Sequence, residues 1–145
     1  MTSEPLGANL IERYLCMHDS RYFRGARDGE YFYVANTRPR RLHVHLEISP
    51  EHHDMLIRVT PACFFPASDR PWLTQLAHRW NKQDREVTAI VHGSSDPQRI
   101  GVVARRSQLM RGGVDFDDFT AFVDRTIAAA IEFFAELTPP VAISA

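Results

Sequence analysis

The residues best suited to chemistry lie between Arg41 and Ser49, where polar and apolar side chains alternate strictly. A period of two is typical of a β-strand with one buried face and one wetter face. The apolar side carries Leu42, Val44, Leu46 and Ile48. The polar side carries Arg41, His43, His45 and Glu47. Two imidazoles on one side of a strand can share a divalent metal, and a nearby carboxylate can complete the ligand set.

The same polar side has a structural interpretation as the solvated face of an amphipathic strand. No cluster of His, Cys and Asp further along the chain has a recognisable ligand spacing. We therefore predict no bound metal and no cofactor. The polar side of this strand remains a candidate surface for a small ligand or a metal, which is our alternative prediction of function.

A second group of reactive side chains falls in one short loop, where His92 is followed by Ser94, Ser95 and Asp96. These residue types serve hydrolases, but a nucleophile needs a rigid turn and an oxyanion hole, and no Gly-x-Ser-x-Gly sequence is present. Gly, Ser, Asp and Pro in this loop are the usual residues of a turn. We predict that the protein is not an enzyme.

A third group combines basic and aromatic residues ahead of Arg41. Such residues on a sheet can stack single-stranded RNA. The formal net charge of the chain is −1 and its last helix is acidic, so we predict no nucleic-acid partner. The group consists of Arg21, Tyr22, Phe23, Arg24, Arg27, Tyr31, Phe32, Tyr33, Arg38, Arg40 and Arg41.

The 145-residue chain has the size of one domain, with no apolar run of the roughly 18 residues that a membrane span requires. Its N-terminus lacks the basic start and the apolar core of a signal peptide. Cys16 and Cys63 show no metal or redox spacing, which suits idle thiols in a reducing compartment. We predict a cytoplasmic protein without a membrane partner.

The periodicities predict the element order α-β-β-β-α-β-β-α. Because the strands come in runs, we predict an α+β fold in which an antiparallel five-stranded sheet packs with three helices. Short turns inside the first run favour a meander. The predicted helices cover 5–17, 69–81 and 115–137, and the predicted strands cover 31–36, 41–49, 55–60, 86–92 and 100–106.

The last helix has an apolar arc of about 200°, wider than the ~100° that seats a helix on one core. Ala129 and Phe133 lie at one border of this arc and Ile131 lies at the other. Either border can form a symmetric homodimer contact or pack against the second helix. Ala129 and Phe133 are therefore candidate binding residues.

Two short motifs carry a family resemblance: Trp80-Asn81 at the end of the second helix, and Gly112-Gly113-Val114 leading into the last helix. With these motifs the chain resembles the YbjN family of bacterial sensory transduction regulators, and in fold the class I chaperones of type III secretion. The resemblance implies a single domain over 5–138, with tails at 1–4 and 139–145. It also implies a non-enzymatic adaptor or chaperone-like regulator, a homodimer that binds another protein of unknown identity. For the motif itself, we predict that Trp80 packs on the core and Asn81 ends the helix by bonding its own backbone.

Overall fold

Three α-helices cover one face of an antiparallel sheet in the computed structural model, which describes residues 3–37 and 40–137. The predicted tail 139–145 and Arg38 lie outside the described residues. The helices are α1 (Ala8–Met17), α2 (Arg70–Asn81) and α3 (Phe116–Glu136). The strands are β1 (Ser3–Glu4), β2 (Tyr22–Arg24), β3 (Glu30–Asn36), β4 (Arg41–Ile48), β5 (Asp54–Pro61), β6 (Phe65–Pro66), β7 (Thr88–Gly93), β8 (Arg99–Leu109) and β9 (Val114–Asp115).

The main sheet has seven strands rather than the predicted five, and all of its pairings are antiparallel. The order runs β2-β3-β4-β5-β8. Strand β6 pairs with the start of β8, whereas β5 pairs with its later part. Strand β7 pairs with the opposite edge of β8. The predicted meander of β3, β4 and β5 is present. The two additional strands, β2 and β6, have three and two residues, which is too short for alternation to reveal them in the sequence.

A separate two-stranded pair joins β1 to β9, so Ser3 and Glu4, in the predicted tail, form a strand. The Gly112-Gly113 turn before β9 makes this possible. Both glycines have positive φ, 88° and 101°, where a residue with a Cβ is strained. A Cβ on Gly113 would also lie 2.7 Å from the Ser3 hydroxyl oxygen. The Gly-Gly motif therefore joins the chain start to the entrance of α3.

The core lies between the helices and the inner face of the sheet. Alternate residues of each strand enter it, as the alternation in β4 predicts. Helix α3 supplies the largest share, and it buries Ala129 and Phe133, whose relative exposures are 3% and 1%. Both border residues thus lie inside the fold. Phe133 packs against α2, which is one of the two predicted alternatives: the Trp80 and Phe133 rings meet edge to face at 5.3 Å. Ile127 and Ile131 on the other border are half-buried.

The Trp80-Asn81 motif joins the end of α2 to strand β7. Trp80 is buried, as predicted, and its indole N–H donates to the Val87 carbonyl at 2.9 Å. Asn81 does not bond its own helix. Its amide donates to the Ala89 carbonyl at 2.9 Å and its carbonyl accepts from the Ala89 N–H at 2.8 Å. One side chain therefore occupies both backbone groups of Ala89, on the side of β7 that faces away from β8.

Candidate functional site on the open face of the sheet

The face of the sheet opposite the helices, which we call the open face, carries every residue of the predicted polar strand side. Arg41 and His43 are exposed there. The side chain of His45 is only 14% exposed and that of Glu47 only 8%, although both lie on the face opposite the three helices. Neighbouring side chains of the open face therefore cover these two residues.

An ionic cluster of five residues accounts for that covering. Glu47 forms salt bridges with Arg27 and with Arg58, the latter at 3.4 Å. His45 Nε2 lies 3.0 Å from a carboxylate oxygen of Glu30. Glu30 is brought here by pairing of β3 with β4, which places it opposite Glu47. Sequence reasoning missed Glu30 and Arg58, since only the register between strands joins them to His45 and Glu47. It also missed Arg27, which reaches Glu47 from the loop between β2 and β3.

The cluster favours a neutral imidazole beside a charged carboxylate. Burial lowers the pKa of His45 below its ordinary value, and Arg58 and Arg27 act in the same direction against the opposing effect of Glu30. Burial acts to raise the pKa of Glu30, but hydrogen bonds from the Arg27 N–H and from His45 outweigh it, so this pKa lies below its ordinary value. Both groups therefore resist protonation in the folded chain.

Glu30, His45 and Glu47 also place one potential metal-ligand atom each within 4.8 Å of the others. Carboxylate and imidazole ligands suit several divalent metals. The guanidinium groups of Arg27 and Arg58 compete with such an ion, because they already neutralise the carboxylate of Glu47. A metal at this position would have to displace both arginines from Glu47.

An apolar patch lies beside the ionic cluster on β2 and β3. Phe23, Phe32 and Val34 project from the open face with relative exposures of 70%, 41% and 44%. Phe23 and Phe32 are directly opposite one another across the two strands. The Phe32 ring stacks on the imidazole of His45, with ring centroids 4.6 Å apart and planes 14° from parallel. Together, Phe23, Phe32 and Val34 form what we call the apolar patch.

The loop that follows His92 uses its side chains to shape a turn. The Ser94 hydroxyl lies 2.8 Å from the carbonyls of both Asp96 and Arg99, and His92 Nδ1 lies 2.8 Å from the Gly93 carbonyl. His92 also covers Gly101 so closely that a Cβ on Gly101 would lie 2.4 Å from its ring. Serine and histidine are thus not paired as nucleophile and base.

A cavity of about 330 Å³ is lined by His92 and by residues 62–64, which connect β5 to β6. His43, Cys63 and Phe64 contribute to its lining. Its volume is at the lower end for small-molecule sites. The Arg40 guanidinium lies 3.6 Å from the Cys63 sulfur, and Cys63 is exposed.

Comparison with known proteins decides the family. The model of the YbjN family, described as "putative bacterial sensory transduction regulator", matches residues 8–139. The chain belongs to the YbjN family. Its fold is similar to the crystal structure of YbjN from E. coli, described as "a putative transcription regulator", with a TM-score of 0.74 over 93% of each chain. At 14% identity this similarity concerns the fold alone.

No curated protein matches the chain. Within the described part of the chain, no helix is long and apolar enough to cross a membrane. The description of the family is that of a regulator. What the open face can bind therefore has to be argued from its own residues.

Proposed function

We propose that this YbjN-family protein is a non-enzymatic regulator that binds another protein through the open face of its sheet. The observation that carries the proposal is the apolar patch, in which Phe23, Phe32 and Val34 stand exposed on the face opposite the three helices. Aromatic residues are enriched at protein interfaces because they bury a large area at a low cost in side-chain entropy. This role is that of an adaptor or chaperone-like module.

The ionic cluster supports the proposal by giving the patch a rigid border. Phe32 is held against His45, and His45 is held by Glu30. A preorganised surface loses less entropy on binding than a mobile one. Polar groups around an apolar centre are also the usual arrangement of an interface rim.

A photo-crosslinking experiment in cells tests the proposal. A photoreactive amino acid at position 23 should give one discrete protein adduct, because Phe23 is the most exposed residue of the patch. The same amino acid at position 64 is the matched control, since Phe64 is also an exposed phenylalanine, at 53%, but lies outside the patch. The adduct at position 23 should disappear when Phe32→Ser is added.

Capture alone is not sufficient, so the crosslinked protein is purified and its affinity for the uncrosslinked chain is measured. Binding that weakens in Phe32→Ser but not in Phe64→Ser would support the apolar patch of the open face as the interface. Equal adducts at positions 23 and 64, or none at position 23, would contradict the proposal.

The second candidate function is binding of a metal or small ligand on the same face, at Glu30, His45 and Glu47. Isothermal titration with zinc, nickel and manganese tests it. Saturable binding that is lost in His45→Gln would favour this candidate. No heat beyond dilution would reject a metal, as competition from Arg27 and Arg58 leads us to expect.

A homodimer and a cytoplasmic location stay predictions. A dimer would need a contact other than Ala129 and Phe133, because both side chains are buried within one copy. Light scattering at tens of micromolar protein distinguishes the dimer from the monomer.

A further inference from the structure

A row of side chains crosses the open face from the apolar patch to the opposite edge of the sheet. Its residues are paired by strand register, each directly opposite the next. In order, they are Phe23, Phe32, His45, Arg58, Arg105 and Thr88. The row is aromatic at one end and basic beyond its centre, so any partner that covers it must match both properties.

The basic part of the row places two like charges directly opposite one another, Arg58 on β5 and Arg105 on β8. Such pairs destabilise a sheet. Arg58 is offset by Glu47, whereas Arg105 is exposed and has no salt bridge within the described residues. Arg58 and Arg105 repel each other, and no carboxylate of the described residues is bound to Arg105. This arrangement points to a negative charge supplied from outside the chain.

Arg105 lies at a hollow of about 370 Å³ at the β7 edge. Thr88 and Ser107 contribute hydroxyl groups to its lining, and Glu86 contributes a carboxylate. Arg85, which also lines the hollow, is already paired with Glu132. The hollow can therefore receive an acidic side chain that bonds to Arg105.

We propose that the partner places an acidic amphipathic helix across the strands, along this row. The inference rests on the proposed function, since it assumes that the open face binds protein. Apolar residues of the helix would cover Phe23, Phe32 and Val34, and an Asp or Glu would reach Arg105. A helix is favoured over an extended segment because the face offers side chains rather than backbone groups, and a helix satisfies its own backbone.

The spacing along such a helix follows from the sheet. Phe32 and Arg105 are separated by three strand intervals, which is about 14 Å. A helix rises 1.5 Å per residue, so about 14 Å corresponds to about 9 residues. The nearest position on the same helix face lies about 11 residues on, after three turns and about 16 Å. The acidic residue should therefore lie about 11 positions from the apolar anchor.

A displayed library of helix-forming 18-residue peptides provides the probe. Peptides are selected for binding to the wild-type chain, and those that also bind the double variant Phe23→Ser/Phe32→Ser are removed. Enriched peptides should carry an apolar anchor and an Asp or Glu at the stated spacing. Their affinity should fall at least about tenfold in Arg105→Glu, the scale expected for loss of an interfacial charge pair.

The matched control is Arg125→Glu, which makes the same charge change at an exposed arginine of α3. This control should leave the affinity unchanged. A peptide with its acid replaced by Lys should regain affinity for Arg105→Glu. Arg105→Glu should fold, since it creates an opposite-charge pair with Arg58. Its melting temperature should be no lower than that of wild type.

The other outcomes separate the two levels of the proposal. Enriched peptides that need the apolar patch but bind Arg105→Glu with wild-type affinity would overturn the acidic helix. They would still support the open face as the binding surface. A selection that never distinguishes wild type from the double variant would contradict both.

Two further measurements can overturn the acidic helix by assigning the face to another occupant. Retention of a single-stranded oligouridylate on filters, lost in Arg105→Glu, would assign the row to nucleic acid. A dimer that dissociates in Phe23→Ser would assign it to a second copy of the chain.

Discussion

At the scale of single residues, the open face depends on contacts between strands rather than on any one strand. His45 contacts Phe32 through its ring and Glu30 through Nε2, and Glu47 is held by two arginines. Glu30 and His45 both have pKa values below their ordinary ones. Protonation of either group therefore opposes this arrangement, and the fold should weaken as the pH falls.

We predict that His45 gives the stability a pH dependence. Because its folded pKa lies below the unfolded value of 6.5, the unfolded chain binds more protons in that interval. The contribution is complete above pH 6.5 and is lost as the pH falls through the folded pKa. His45→Gln, which keeps a donor for Glu30 without a titratable group, should lose less stability than wild type between pH 7.5 and 5.5.

Urea unfolding at both pH values measures this difference. His43→Gln is the control, since His43 is an exposed histidine of the same strand face. The control should follow wild type. Parallel losses in wild type and His45→Gln would mean that the imidazole of His45 does not contribute to the pH dependence. Glu30 should add a second loss at lower pH, as the pH falls from about 4.5 through its folded pKa.

At the scale of elements, the two family motifs join parts of the fold that are separate in sequence. Trp80 and Asn81 join α2 to β7, and the Gly-Gly turn brings β1 against β9. A strand edge with free backbone groups invites pairing with other chains. Asn81 covers such an edge at Ala89, so its side chain stabilises a strand edge instead of capping its own helix.

Asn81→Ala should lower the free energy of unfolding by about 1–3 kcal/mol, because it leaves two backbone groups of Ala89 without their partner. Chemical denaturation measures the change. Asn36→Ala, at an exposed asparagine of β3, should stay within about 0.5 kcal/mol of wild type. Equal effects of the two substitutions would show that the Asn81 bonds to Ala89 add nothing to stability.

The two sides of α3 should differ in the same kind of measurement. Phe134 is 1% exposed, so Phe134→Ala should cost about 3–5 kcal/mol through lost burial and a cavity. Ile131 is half-buried at the border, and Ile131→Ala should cost at most about 2 kcal/mol. A larger loss at Ile131 than at Phe134 would contradict the observed orientation of the helix.

Much of this architecture could be predicted from periodicity, because long elements repeat their pattern often enough to be recognised. The alternation from Arg41 to Ile48 identified β4, and the apolar arc identified α3. Strands of two or three residues show no period, so β2 and β6 were missed. The arc left two alternatives for Ala129 and Phe133, a homodimer contact or packing against α2, because sequence does not show which neighbour covers each border. The structure buries both side chains.

The candidate site was predicted only in part, for a related reason. A single strand shows which side chains share a face, and Arg41, His43, His45 and Glu47 do share one. Which strand lies beside it is a property of topology. Glu30, Arg58 and Arg105 join the site through register with β3, β5 and β8, and no local pattern announces that register.

At the scale of the whole molecule, the fold separates its two faces by role. One face of the sheet carries three helices and the core, while the other keeps an apolar patch beside an ionic cluster. Membership of the YbjN family supplies a regulatory description but no partner. The open face provides the surface on which we propose that a partner protein binds.

The most direct test is the affinity of the protein captured at position 23 for three purified chains: wild type, Phe23→Ser and Phe64→Ser. Our proposal predicts that Phe23→Ser weakens binding by at least about tenfold, as loss of a central aromatic contact should. Phe64→Ser, which removes an exposed phenylalanine side chain outside the apolar patch, should bind as wild type does. Unchanged affinity in Phe23→Ser, with melting temperatures equal throughout, would contradict the open face as the binding surface.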